Sequence, residues 1–255
     1  MSVTHPYFDN GGKAVALAHR GFSLDGLENS MTAFEAAVNL GYRYVETDAH
    51  GTSDGVAVAL HDSSLDRTTD GQGVVADLPW REVRTARIGG REAVPSLEEL
   101  LGTFPDLCVN IDVKGVSGIE AIAAAIERTQ SHHRVCVASF SAARRDATVA
   151  LLTKPVATSA GTTEAASYFA RGAVGLKVAR PLRKVDALQI PSRAGGMRVL
   201  TARHVRAAHD AGRYVHVWTI NEPADMRALL DIGVDGLVSD RADLLKDVLT
   251  ERGQW

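Results

Sequence analysis

The chain has 255 residues, 45% of them apolar, and a formal net charge of −3. That length suits one β/α barrel, which runs to about 250 residues, better than two small domains. The charge is close to zero and no lysine or arginine run appears, which excludes the long-range field that gathers nucleic acid or anionic lipid.

The first twenty residues contain Pro6, Asp9, Asn10 and the Gly11-Gly12 pair, and their apolar run is too short for a secretory core or a membrane span. This predicts a cytoplasmic protein without stable membrane insertion. Strand-like and helix-like stretches then alternate to the far end, the signature of α/β architecture with a parallel sheet. A first strand over residues 14–18 delivers His19 where a buried run emerges toward solvent, the position that carries catalytic groups in parallel barrels. Asn29 or Ser30 then caps a helix whose Met31, Phe34 and Val38 share one face, and Gly41 closes it.

Residues 42–49 read as the next strand, on which Glu46 and Asp48, two apart, point the same way. As an isolated pair they would be solvated strand-end residues. Adjacent carboxylates repel, however, and a hard divalent cation with oxygen ligands relieves that repulsion, which makes both candidate metal ligands. His50 shares their parity but lies beyond them and reads as a rim residue. Asp54-Gly55 turns the chain back into a short strand over residues 56–60, paired as a hairpin with its predecessor, and this returns His61 to the carboxylates. Asp62, adjacent to His61, is a candidate to orient it, although strand neighbours point apart and the spacing weighs against this.

Over residues 63–94 the rhythm breaks, with a loop at 68–73 and a short helix at 78–83. Long insertions in such folds sit over the site. Pro95-Ser96 with Glu99 starts a capped helix. Strands follow at 107–113, 135–139, 156–158, 187–190, 214–219 and 236–238. Helices follow at 118–128, 141–152, 163–170, 202–211, 223–232 and 242–249. With the hairpin counted as an extension, eight barrel strands result. Cys108 and Cys136 lie in apolar strand runs and read as small buried hydrophobes. His5, His132, His133, His204 and His209 read as surface residues. Gly71-x-Gly73 lacks the strand-to-helix setting of a dinucleotide fingerprint.

His19-Arg20-Gly21, Glu28-Asn29-Ser30, Glu46-x-Asp48, Asp54-Gly55, His61-Asp62 and Leu65-Asp66-Arg67-Thr68-Thr69 together resemble the glycerophosphodiester phosphodiesterase family. The resemblance extends to residues 217–221 and 233–240 and is weak only over about 141–181. It implies a single domain over residues 1–255: a (β/α)8 TIM barrel with a small insertion after the second barrel strand, forming a cap at its mouth. It also implies a third acidic metal ligand, Asp112, two positions before Lys114. The family usually has Glu there, and Asp reaches about 1.5 Å less, a loss that the loose shell of Ca2+ tolerates better than the octahedron of Mg2+. An ordinary ion pair between Asp112 and Lys114 is the competing reading.

The chemistry expected from this set is hydrolysis of a small-molecule glycerophosphodiester with Ca2+ or Mg2+. His19 and His61 act as general acid and base, and Arg20 and Lys114 hold the phosphate. By resemblance Trp218 lies against the carbon skeleton of the substrate, and Glu28 supports the site from a loop in which Leu27 replaces a frequent proline. The alternatives are a lysophospholipase D-like enzyme acting on single-chain lipids, which needs an apolar trough, and a noncatalytic phosphate-ester binding protein on the same barrel. Nothing in the apolar pattern of the outer helices marks an oligomer interface.

Overall fold

The computed structural model describes residues 5–173, 177–194, 197–198 and 200–255. A 3-10 turn at Pro6–Phe8 leads into β1 (Val15–His19), α1 (Met31–Asn39), β2 (Tyr44–Gly51) and β3 (Ala57–Ala59). An insertion follows with α2 (Trp80–Val83), β4 (Arg87–Ile88) and β5 (Glu92–Ala93). Regular units resume with α3 (Leu97–Thr103), β6 (Cys108–Val113), α4 (Gly118–Thr129), β7 (Val135–Ala138), α5 (Ala142–Val149), β8 (Ala157–Thr158) and α6 (Thr162–Ala173). The chain ends with β9 (Ala187–Pro191), the short hairpin β10 (Arg193–Ala194) and β11 (Met197–Arg198), then α7 (Ala202–Asp210), β12 (Tyr214–Trp218), α8 (Pro223–Asp231), β13 (Gly236–Ser239) and α9 (Ala242–Glu251).

Eight strands lie in the order β8-β7-β6-β2-β1-β13-β12-β9, and every neighbouring pair is parallel. A parallel bridge between Ser159 and Ala187 draws the two ends of that series together, so the barrel is nearly closed. The expected (β/α)8 architecture is present. β3 adds antiparallel to β2, with Ala49 opposite Ala59, the expected hairpin extension.

Period-2 alternation builds the layers. The outward set, including Val45, Val109, Ile111, Val137, Val217 and Leu237, joins Phe34, Leu100, Ile122, Val205 and Leu245 of the helices in one buried cluster. Each such side chain contributes about 1.5–3 kcal/mol on leaving water. The inward set begins at the floor with an aromatic plug that periodicity did not signal. Tyr7 and Phe8 from the 3-10 turn pack with Val15, Leu17, Tyr44, Cys136, Ala157, Ala187 and Val238. Tyr7 meets the Tyr44 ring edge-on at 5.3 Å, Phe8 stacks on Tyr214 at 4.3 Å, and Tyr44 Oη donates to the carbonyl of Tyr7 at 2.8 Å.

The insertion is more than surface decoration. Val58 of β3, Leu60 just after it, Leu27 of the first βα loop, and Leu65, Val75, Val83, Ala86, Ile88 and Val94 form a separate buried cluster. Its antiparallel arm β4–β5 was not expected. Three local readings also change. Ser30, not Asn29, caps α1, its Oγ accepting from Ala33 N at 3.1 Å. β2 runs to Gly51, so His50 is buried and not on a rim, with Nε2 3.2 Å from the carbonyl oxygen of His61. His132 is likewise buried, because its Nε2 finds Glu127 Oε1 at 3.0 Å. Among the described residues, no helix is long and apolar enough to cross a membrane.

Candidate active site

At the C-terminal end of the barrel strands lies a cleft of about 750 Å³ whose lining includes His19, Arg20, Glu46, Asp48, His61, Asp112, Lys114 and Trp218. Eight of the nine residues singled out in the sequence thus face one space. The ninth, Glu28, stands behind Arg20. Register explains the convergence, since His19 pairs with Glu46 between β1 and β2, and Asp48 pairs with Asp112 between β2 and β6.

The first loop is held in an unusual backbone. Arg20 and Asn29 both have left-handed φ, 56° and 59°, and Asn29 N donates to the carbonyl of Arg20 at 2.9 Å. Such strain costs about 1 kcal/mol or more per residue and persists where surrounding contacts hold it. Gly21, at φ 81°, packs so closely that a Cβ would lie 2.6 Å from the Ala33 carbonyl carbon, so only glycine serves there. Asn29 therefore works inside the site. Its amide donates to Asp48 Oδ2 at 3.4 Å and accepts from Thr47 Oγ1 at 2.8 Å.

Two cations meet the carboxylates. Lys114 Nζ lies 2.9 Å from Asp48 Oδ1 and 3.2 Å from Asp112 Oδ2, so the expected ion pair with Asp112 exists and is shared with Asp48. Arg20 Nη1 donates to Glu28 Oε1 at 3.0 Å. Its Nε is 3.0 Å from Asp48 Oδ2 yet makes no hydrogen bond in that geometry and is buried without another partner, so this is a Coulombic contact only. Burial pushes Asp48 up, but Lys114 and Arg20 outweigh it and hold the carboxyl below its ordinary value. Burial, opposed by Lys114 and reinforced by Asp48, leaves Asp112 raised. Glu46 is raised furthest, to about 8, by burial and by the neighbouring Asp48.

Each histidine has an aspartate on Nδ1. His19 Nδ1 is 2.5 Å from Asp240 Oδ1, and Asn221 Nδ2 donates to Asp240 Oδ2 at 2.8 Å. Burial opposes a charge on His19, but Glu46, 3.7 Å from Nε2, and the Asp240 bond outweigh it, so its pKa is raised. His61 Nδ1 is 2.6 Å from Asp62 Oδ1. The spacing argument against Asp62 fails because β3 ends at Ala59, and strand parity no longer governs residues 61 and 62. Asp62 is bound in turn by Arg67, which holds its carboxyl well below the usual range.

A hard divalent cation can be tested against this donor set. All three candidate ligands offer only oxygen, Asp112 Oδ1 is buried with no hydrogen-bond partner, and Glu46 is raised by burial and by Asp48 beside it. Donor chemistry and charge fit. The side chains themselves are engaged by Lys114 and Arg20, and among the described residues no three acidic, histidine or cysteine groups form a metal-ligating cluster.

The opposite wall of the cleft is apolar, formed by Phe140, Ala160, Ala165, Phe169, Pro191 and Trp218. Trp218 meets Phe140 edge-on at 5.7 Å, and Lys114 Nζ lies 5.6 Å from the Phe140 ring centroid. His204, expected on the surface, also lines this wall. Asp240, Asn221, Arg67 and the apolar wall other than Trp218 carried no readable role in the sequence. Asp240, Asn221 and Arg67 sit in stretches that carry the family resemblance, which was the one available signal.

The model of the glycerophosphoryl diester phosphodiesterase family matches residues 19–244. A Mycobacterium tuberculosis protein named "Probable glycerophosphodiester phosphodiesterase 2" is 48% identical over 99% of this chain and 96% of its own. A glycerophosphodiester phosphodiesterase of Caldanaerobacter subterraneus is 28% identical over 94% of this chain and all of its own. Among solved structures, an Oleispira antarctica phosphodiesterase in complex with the product sn-glycerol-3-phosphate shares the fold with a TM-score of 0.76 at 22% identity, covering 94% of this chain and 98% of its own.

Proposed function

This chain belongs to the glycerophosphoryl diester phosphodiesterase family, and from that premise we propose that it is a phosphoric diester hydrolase. It cleaves glycerophosphodiesters to sn-glycerol 3-phosphate and an alcohol. The observation that carries this reading is the pair of histidines lining one cleft beside Arg20 and Lys114, each imidazole held at Nδ1 by an aspartate.

Cleavage requires charge to be offset on the nonbridging oxygens, a proton to be taken from the nucleophile and one to be returned to the leaving alkoxide. Arg20 and Lys114 offer the fixed positive charge, the first as a planar fork and the second as a point charge. One histidine removes the nucleophile's proton and the other protonates the leaving oxygen, both through Nε2, since Nδ1 is engaged. Trp218 lies against the carbon skeleton. Glu46, Asp48 and Asp112 would hold Ca2+ or Mg2+, which when bound further neutralises the phosphodiester oxygens. Unpaired Cys108 and Cys136 support a reducing, cytoplasmic setting.

The deciding experiment is release of sn-glycerol 3-phosphate from glycerophosphocholine and glycerophosphoethanolamine, first with chelator and then with Ca2+ or Mg2+ restored. Metal-restored release is expected; release that chelator leaves untouched would overturn the metal assignment, and no release under any condition would overturn the hydrolase. A cyclic phosphate seen by phosphorus NMR in a single turnover identifies the glycerol hydroxyl as nucleophile, and its absence identifies water.

The apolar wall favours a second reading, in which single-chain lysophospholipids are also cleaved. Phe140, about half exposed at the mouth of the cleft, is suited to an acyl chain. Turnover of lysophosphatidylcholine at or above that of glycerophosphocholine would move this reading to first place.

A further inference from the structure

We propose that Arg67, on the insertion, is a positioning residue that fixes His61 through Asp62 and ties its loop to that of Arg20; the inference rests on the hydrolase reading above. Arg67 is not among the residues that line the cleft. Its guanidinium instead lies between two carboxylates. Nε donates to Asp62 Oδ2 at 2.5 Å and Nη2 to Asp62 Oδ1 at 3.0 Å, while Nη2 also donates to Glu28 Oε1 at 2.8 Å.

Each of those carboxylates has a second bond to a group facing the cleft. Asp62 Oδ1 meets His61 Nδ1, and Glu28 Oε1 accepts from Arg20. Charges therefore alternate without a break from Asp48 through Arg20, Glu28 and Arg67 to Asp62, which meets His61. Arg20 and Glu28 come from the loop after β1, whereas Asp62 and His61 follow β3. Arg67 is the bond between the two loops.

A lone Asp62, more than a quarter exposed, has freedom to turn to water and release the imidazole. The forked contact fixes both of its oxygens, and that fixes which nitrogen of His61 carries the proton and leaves Nε2 toward the cleft. The insertion braces the backbone on either side of Arg67. Thr69 Oγ1 donates to the Leu65 carbonyl at 2.7 Å, Gly73 N to Asp66 Oδ2 at 3.2 Å, and Gly89 N to the Thr68 carbonyl at 2.9 Å. Through this residue the cap becomes part of the machinery without touching substrate.

The test is Arg67→Met, assayed with glycerophosphocholine. Outer partners of functional groups are worth about 10–100-fold, so kcat is expected to fall by that factor while KM changes less than ~3-fold, since Arg20 keeps its contact with Asp48. The double variant with Asp62→Asn is expected to be no slower than Asp62→Asn alone, because both act through one bond. Nitrogen NMR is expected to show His61 losing its Nδ1–H preference. A kcat within about 2-fold of the parent, or an additive double variant, would overturn the proposal. If the parent itself cleaves no phosphodiester, the hydrolase reading fails, and the His61 tautomer still decides the positioning role on its own. Arg67→Lys, which keeps the charge and loses the fork, serves under the same criteria should Arg67→Met not fold.

Discussion

The mouth and the floor of the barrel lie on the inward face of the same strands and fill it in opposite ways. At the floor Tyr7, Phe8 and Tyr44 close the interior with rings against rings. At the mouth Glu46, Asp48 and Asp112 crowd three carboxylates around Lys114 and Arg20 and leave Asp112 Oδ1 without a bond. The floor gains stability from packing. The mouth keeps polar capacity in hand for a ligand, which costs stability elsewhere offset. Substitutions should therefore divide cleanly, with losses of rate above and losses of stability below.

The largest effect expected is at the mouth. His19→Ala and His61→Ala should each lower kcat/KM for glycerophosphocholine by about 10²–10⁴-fold, with thermal unfolding close to that of the parent; a large drop in Tm in both would blur the division. At the floor, Tyr7→Ala should remove about 3–5 kcal/mol in urea unfolding while the folded fraction keeps its kcat.

Proton linkage sharpens the contrast from below. His216, wholly buried above the plug, is pushed by burial from 6.5 to about 4. Between those values the unfolded chain takes up a proton that the folded one refuses. The contribution is thus fully present above pH 6.5 and is lost as pH falls toward 4, by about 3 kcal/mol. Unfolding of the parent and of His216→Gln across that window should show the steeper slope in the parent alone. The smallest effect is Asp240→Asn, which should slow turnover about 10–100-fold and leave urea stability nearly unchanged.

Much of the mouth was legible because its groups emerge at the ends of contiguous strand patterns, and the spacing of Glu46 and Asp48 survives in any register. What escaped was set by distance along the chain or by the end of a strand. Asp240 reaches His19 across 221 positions, which local periodicity cannot encode. Arg67 stands 39 positions from Glu28. Asp62 was discounted by a rule that holds only within a strand, and His50 was misplaced because β2 extends two residues further than its β-branched run. The aromatic plug was missed for a related reason: Tyr7 and Phe8 precede the first strand and have no repeat of their own.

The His19–Asp240 contact joins the first strand of the chain to the residue just beyond the last. A ribosome releases these two partners 221 residues apart, and no chain cut short of β13 possesses both. The nascent protein therefore lacks this contact until β13 docks against β1. Full turnover then reports on that docking, so that an assay for product doubles as an assay for a late step of assembly.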